Sequence, residues 1–208
     1  MKQLIFSIFF FGLTSLVASA QVQSHNMRYS NETSYDFASR NRNNPEKVTD
    51  LKWNNHNVII ANYKTIGNAY YNEGGHNDDT TVTINLYVAV SPISCIQVAV
   101  PSVTYPYGNA SVESVFLANA DKDAAEELFI ILSWKSASDK MEGTMYQTFV
   151  YDDLPTDYLQ LPASVKDMEI ASQFSGCDCK RPGQPATEAE FKTSADIRAE
   201  LKKRGFKQ

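Results

Sequence analysis

Residues 112–134 carry the densest chemistry in the chain. Asn119, Asp121 and Asp123 place an oxygen-bearing side chain at every second position, and Glu127 adds another further on. A hard cation such as calcium takes roughly six to eight oxygen ligands at about 2.3–2.6 Å. A tight loop supplies them when alternate side chains converge, a main-chain carbonyl fills the middle, and a later carboxylate closes the shell. Here the carbonyl would be that of Ala125 and the closing carboxylate Glu127. The helix–loop–helix calcium module places its closing Glu at loop position twelve. Ile130 stands there in this chain, between strand-like flanks, so that module is excluded. The competing reading is a polar turn between two strands that holds no ion.

Other candidates are weaker. His76-Asn77-Asp78-Asp79 follows Gly74-Gly75 and could hold a metal or a catalytic base, the simpler reading being a solvated turn. The three cysteines are Cys95, Cys177 and Cys179. An odd count leaves one unpaired within the chain. A bridge between Cys177 and Cys179 would skip one residue and strain the ring, so the expected bridge joins Cys95 to one of them. A buried, inert Cys95 and a Cys-x-Cys redox pair are the alternatives. His25, His56 and His76 are too scattered to complete a zinc site. Exposed tyrosines among Tyr70, Tyr71, Tyr105, Tyr107, Tyr146, Tyr151 and Tyr158 would suit a glycan or protein partner, and the simpler reading makes them sheet residues. No Gly-x-Ser-x-Gly elbow, His-Glu-x-x-His pair or phosphate-cradling Gly loop occurs.

The acidic loop has a familial likeness. Val115-Phe116-Leu117-Ala118-Asn119-Ala120-Asp121-Lys122-Asp123, running into Glu127-Leu128-Phe129-Ile130-Ile131, resembles one FG-GAP or VCBS-type repeat. Those integrin-like repeats join two strands through an acidic calcium loop. The resemblance implies Asn119, Asp121, Asp123 and Glu127 as side-chain ligands. Asn119 and Glu127 depart from the family's aspartates, and Ala124 replaces its glycine, where a left-handed turn would cost about 1 kcal/mol. The lost charge at Asn119 and the strained turn at Ala124 both imply weak calcium binding, in the range of roughly 10⁻⁴–10⁻³ M. A propeller is not implied, since one unit cannot build its blades.

The elements that would position this loop are strands. Val82, Ile84, Leu86, Val88 and Val90 alternate with polar residues, as a half-buried strand requires. Further strands are expected over 57–63, 93–100, 112–118, 128–134 and 144–151. The 128–134 segment is almost wholly apolar and should be central. Residues 164–174 read equally as helix or strand. Residues 194–204 read as a helix, with Ser194 as N-cap, Ile197 and Leu201 on one face, and Lys202-Lys203-Arg204 against the dipole before Gly205. Residues 21–56 are Asn-rich without apolar period and predict a loosely ordered arm, tied down around Trp53.

The start of the chain supplies an address. Lys2, an apolar run over 4–17, and Ala18-Ser19-Ala20 form a cleavable export signal over residues 1–20. No later stretch is apolar enough to cross a membrane. The formal net charge of −5 argues against nucleic acid as a partner. Together these predict an α+β fold over residues 57–208: a mainly antiparallel, sandwich-like sheet with a C-terminal helix packed on it. The expected function is periplasmic or extracellular: a non-enzymatic protein- or glycan-binding protein with a weak structural calcium site. The alternatives are an inhibitor or immunity-type protein blocking an envelope-targeting hydrolase, and a hydrolase with an unrecognised site.

Overall fold

The computed structural model describes residues 25–66, 70–72, 75–77, 80–99, 103–105, 111–121, 123–137, 141–151 and 168–208. The expected signal segment, Asp78, Asp79, Tyr107 and Tyr158 lie outside these residues. The elements in order are β1 (His25–Met27), α1 (Ser34–Asn41), β2 (Lys47–Trp53), β3 (His56–Ile66), β4 (Tyr70–Asn72), β5 (Gly75–Asn77), β6 (Thr80–Ser91), β7 (Ser94–Ala99), β8 (Val103–Tyr105), β9 (Ser111–Ala118), β10 (Glu127–Ala137), β11 (Glu142–Tyr151), α2 (Met168–Gln173), β12 (Gly176–Lys180) and α3 (Ser194–Lys203). No helix among the described residues is long and apolar enough to cross a membrane.

Two antiparallel sheets carry the fold, and side-chain alternation decides how they meet. The first runs β1-β7-β6-β3-β2, with β8 also paired to β6; the second runs β12-β11-β10-β9. A small β4–β5 hairpin stands apart from both. Val82, Ile84, Leu86 and Val88 of β6 share one face. With Trp53, Val58 and Ile60 they pack on Leu117, Leu128, Ile130, Leu132 and Tyr151 of the second sheet. That shared layer is the sandwich interior. The opposite faces are roofed by helices. Phe37 and Ala38 of α1 cover Ile59, Ala61, Tyr63, Tyr87 and Cys95. Ile197 and Leu201 of α3, with Ala171 of α2 and Phe174 just beyond it, cover Phe116, Phe129, Ile131 and Val150. The mainly β, α+β architecture is therefore as expected, with one helical layer on each side. β10 is apolar on both faces, Leu128 to Leu132 being buried throughout, because both faces are covered.

The Asn-rich arm is a correction. From His25 onward it is not loose but forms β1, α1 and β2. Its order comes from hydrogen bonds together with the burial of Phe37, Ala38 and Trp53, which are too few to show as an apolar period. Thr33 caps α1 by accepting from the Asp36 N–H, and Tyr63 donates to the Ala38 carbonyl at 2.9 Å. Arg40 pairs with Glu32 at 2.8 Å. β2 then pairs with β3 along its whole length, from Lys47↔Asn62 to Trp53↔His56. In the tail, residues 168–173 of the ambiguous 164–174 segment are helix, and residues 164–167 lie outside the described residues. The C-terminal helix starts one residue earlier than expected, at Ser194 itself. Thr193, not Ser194, is the N-cap and forms a capping box with Asp196.

Candidate metal centre

Pairing of Glu127 with Ala118 closes the β9–β10 ladder and fixes the ends of the loop between them. The loop is then shaped by its own acidic side chains. The Asp123 N–H donates to Asp121 Oδ1 at 2.8 Å, and the Ala125 N–H donates to Asp123 Oδ1 at 2.8 Å. These are side-chain mimics of a backbone turn. They remove the need for a left-handed residue at Ala124, so the strain expected there is absent: among the described residues only Asn44, Asn54 and Asn55 are non-glycines at positive φ.

The turns bring Asp121, Asp123 and Glu127 together. One carboxylate oxygen from each lies within 4.8 Å of the others, and the group could hold a metal ion. Asn119 and Ala125, expected as further ligands, are engaged with each other. Asn119 Nδ2 donates to the Asp123 carbonyl at 2.9 Å and to the Ala125 carbonyl at 3.2 Å. Asn119 thus braces the loop from within.

Glu127 is the unusual member. It is only 4 % exposed at the start of a central strand. The Ala120 N–H donates to Oε2, while Oε1 is buried with no hydrogen-bond partner among the described residues. Burial pushes its carboxyl up to about 7. The Ala120 N–H opposes that shift, and the negative charges of Asp121 and Asp123 add to it. A buried carboxylate oxygen without a partner is costly, by several kcal/mol for a full charge. A bound cation would remove that cost. The donor set is all oxygen, which suits a hard ion better than zinc or copper.

No family model, no curated protein and no solved structure matches this chain. The loop must therefore be read from its own chemistry.

Two contacts that sequence reasoning did not find hold the loop in place. Trp53 Nε1 donates to the Glu126 carbonyl at 2.6 Å, tying it to the end of β2 in the other sheet. Gln208 Nε2 donates to the Asn119 carbonyl at 2.7 Å. Neither has a local sequence signal, since each joins residues far apart in the chain.

The other candidates are dispersed. His25, His56 and His76 fall on β1, β3 and β5, and no histidine joins the acidic group among the described residues. Tyr151 is buried in the sandwich interior and Tyr146 is half-buried on β11. The expected bridge from Cys95 is a further correction. Cys95 is an unpaired thiol beneath α1, on the outer face of the first sheet. Cys177 and Cys179 lie on β12 of the second sheet and pair with each other. The two sheets separate the partners the sequence offered.

Proposed function

We propose that this chain is an exported binding protein that takes a structural calcium ion in the β9–β10 loop. One observation carries the reading: Glu127 is buried with its Oε1 unpartnered among the described residues, and its carboxylate lies within reach of those of Asp121 and Asp123. Three oxygens of one sign, gathered at the end of two core strands, repel one another until a cation separates them. Calcium suits the loop better than magnesium, because it accepts irregular oxygen shells and gives up its water readily. The ion would stiffen a turn joined to both sheets and present a fixed surface to a protein or glycan partner.

The test is a melting curve of the exported protein in chelator and in calcium titrated up to about 100 mM, roughly 100 times the weak dissociation constant expected. At a calcium concentration 100 times the dissociation constant the gain is about 2.7 kcal/mol. That raises the melting temperature of a chain this size by roughly 5–10 °C. Magnesium at equal concentration should give a smaller rise. A curve unmoved by calcium overturns the ion. Affinity capture from envelope extract then tests the binding role: a stoichiometric protein or glycan partner supports it, and none retained overturns it.

A further inference from the structure

Cys177 and Cys179 flank Asp178 on β12, the terminal strand of the second sheet. Their Cα atoms stand 5.2 Å apart, where two residues of an ordinary strand cover about 6.6 Å. The strand is drawn in at this point, and β11 is built to receive it. Gly143 lies opposite Cys179 at φ +152°. A Cβ there would meet the Asp178 carbonyl oxygen at 2.0 Å and Cys179 Cα at 2.8 Å. Only glycine satisfies both the conformation and the close approach.

The two sulfur-bearing residues differ in access. Cys179 is 3 % exposed, whereas Cys177 is half-buried. The intervening Asp178 is held by Lys192 Nζ at 2.9 Å and by the Ala189 N–H at 2.8 Å. Its side chain is thereby fixed apart from the sulfurs. A bridge that skips a single residue restricts the unfolded chain very little, because that restriction grows with loop length. Its value to folding is small, and the pairing of a half-buried cysteine with a fully buried one has another use.

We propose that Cys177-Asp178-Cys179 is a thiol–disulfide exchange site whose partner is a dithiol. A partner thiolate attacks Sγ of Cys177, the less buried of the two residues, and a mixed disulfide forms. The Cys177–Cys179 bond breaks, its electron pair leaves on Cys179 Sγ, and that thiolate takes a proton from water. The partner's second thiolate attacks the partner sulfur of the mixed disulfide and expels Cys177, which is protonated in turn. Two electrons pass to the pair, and the partner leaves as a disulfide. Reduction frees β12 to regain full strand length beside Gly143. The calcium loop plays no part in this site.

The test uses alkylation and mass spectrometry on the full exported protein and two variants. As purified, the wild type should show one free thiol, Cys95, on unfolding. Millimolar reduced glutathione, added to the native protein, should open the Cys177–Cys179 bond. Cys179→Ser should gain the mass of one glutathione from oxidised glutathione, because Cys177 is open to it. Cys177→Ser should gain none under native conditions. Three free thiols at the outset overturn the proposal, as does a native bond that yields to glutathione only after denaturation. Equal labelling of the two variants overturns the division of roles.

Discussion

Two turns meet where Trp53 bonds to Glu126, and they reverse the chain by opposite means. Between β2 and β3 the reversal takes Asn54 and Asn55, at φ 46° and 66°. Both are left-handed, as a two-residue hairpin turn demands, and Asn tolerates that conformation. The turn is complete in its backbone. Between β9 and β10 the reversal is longer and is held by the side chains of Asn119, Asp121 and Asp123. It leaves a buried carboxylate oxygen unpaired. A turn closed by backbone geometry gathers no carboxylates to close it. One closed by side chains retains unused acceptors, and these are what a cation needs.

The largest effect should come from removing what the turns share. Trp53 is 1 % exposed in the sandwich interior and also anchors the acidic loop. Trp53→Ala should cost about 3–5 kcal/mol in urea unfolding. A cost below about 1 kcal/mol would mean that the two turns stand independently.

The next effect separates them by pH. In chelator, Glu127 is harder to ionise in the folded chain, its carboxyl being raised from 4.5 to about 7. Its contribution to stability is present in full below about pH 4.5 and is lost as pH rises through about 7. Glu127→Gln removes this titration, so the stability difference between wild type and variant should change by on the order of 3 kcal/mol across that window. The wild type should fall behind as pH rises. A difference flat in pH would mean that Glu127 titrates as an exposed carboxyl.

A smaller effect isolates the acidic loop. Asp121→Asn combined with Asp123→Asn should abolish the calcium-induced rise in melting temperature, worth about 2.7 kcal/mol at 100 times the dissociation constant. The double variant should melt in chelator no lower than the wild type, since repulsion around Glu127 is relieved. A calcium response that survives would place the ion elsewhere. The smallest effect belongs to the tight turn. Asn55→Ala should cost about 1 kcal/mol and Asn55→Gly almost nothing, with the calcium response unchanged in both.

Much of the frame was legible because strand periodicity is local. Val82, Ile84, Leu86 and Val88 announce a half-buried strand, and the run from Leu128 to Leu132 announces one covered on both faces. The capped helix near Ile197 and Leu201 was equally plain, apart from one residue at its start. What escaped depends on distance. β2 shows no clean alternation because it is an edge strand, ordered by its ladder to β3. α1 buries little more than Phe37 and Ala38, too narrow a stripe to show as a period. The cysteine pairing follows from which sheet each residue joins, and single-residue spacing cannot reveal that. In the loop, the alternating oxygens were visible in the sequence. The brace from Asn119 and the isolation of Glu127 Oε1 arise only when the ladder closes at Ala118 and Glu127.

The indole of Trp53 makes the loop optically addressable. Its ring is sealed in the sandwich interior while its N–H reaches the residue just before Glu127. The second indole, Trp134, lies further along β10 and is half-buried. Replacing Trp134 with Phe would leave one emitter, bonded directly to the loop backbone. Any event that shifts the Glu126 carbonyl alters the dipole this excited state feels. Emission colour and lifetime would then follow the loop in real time, without an attached dye.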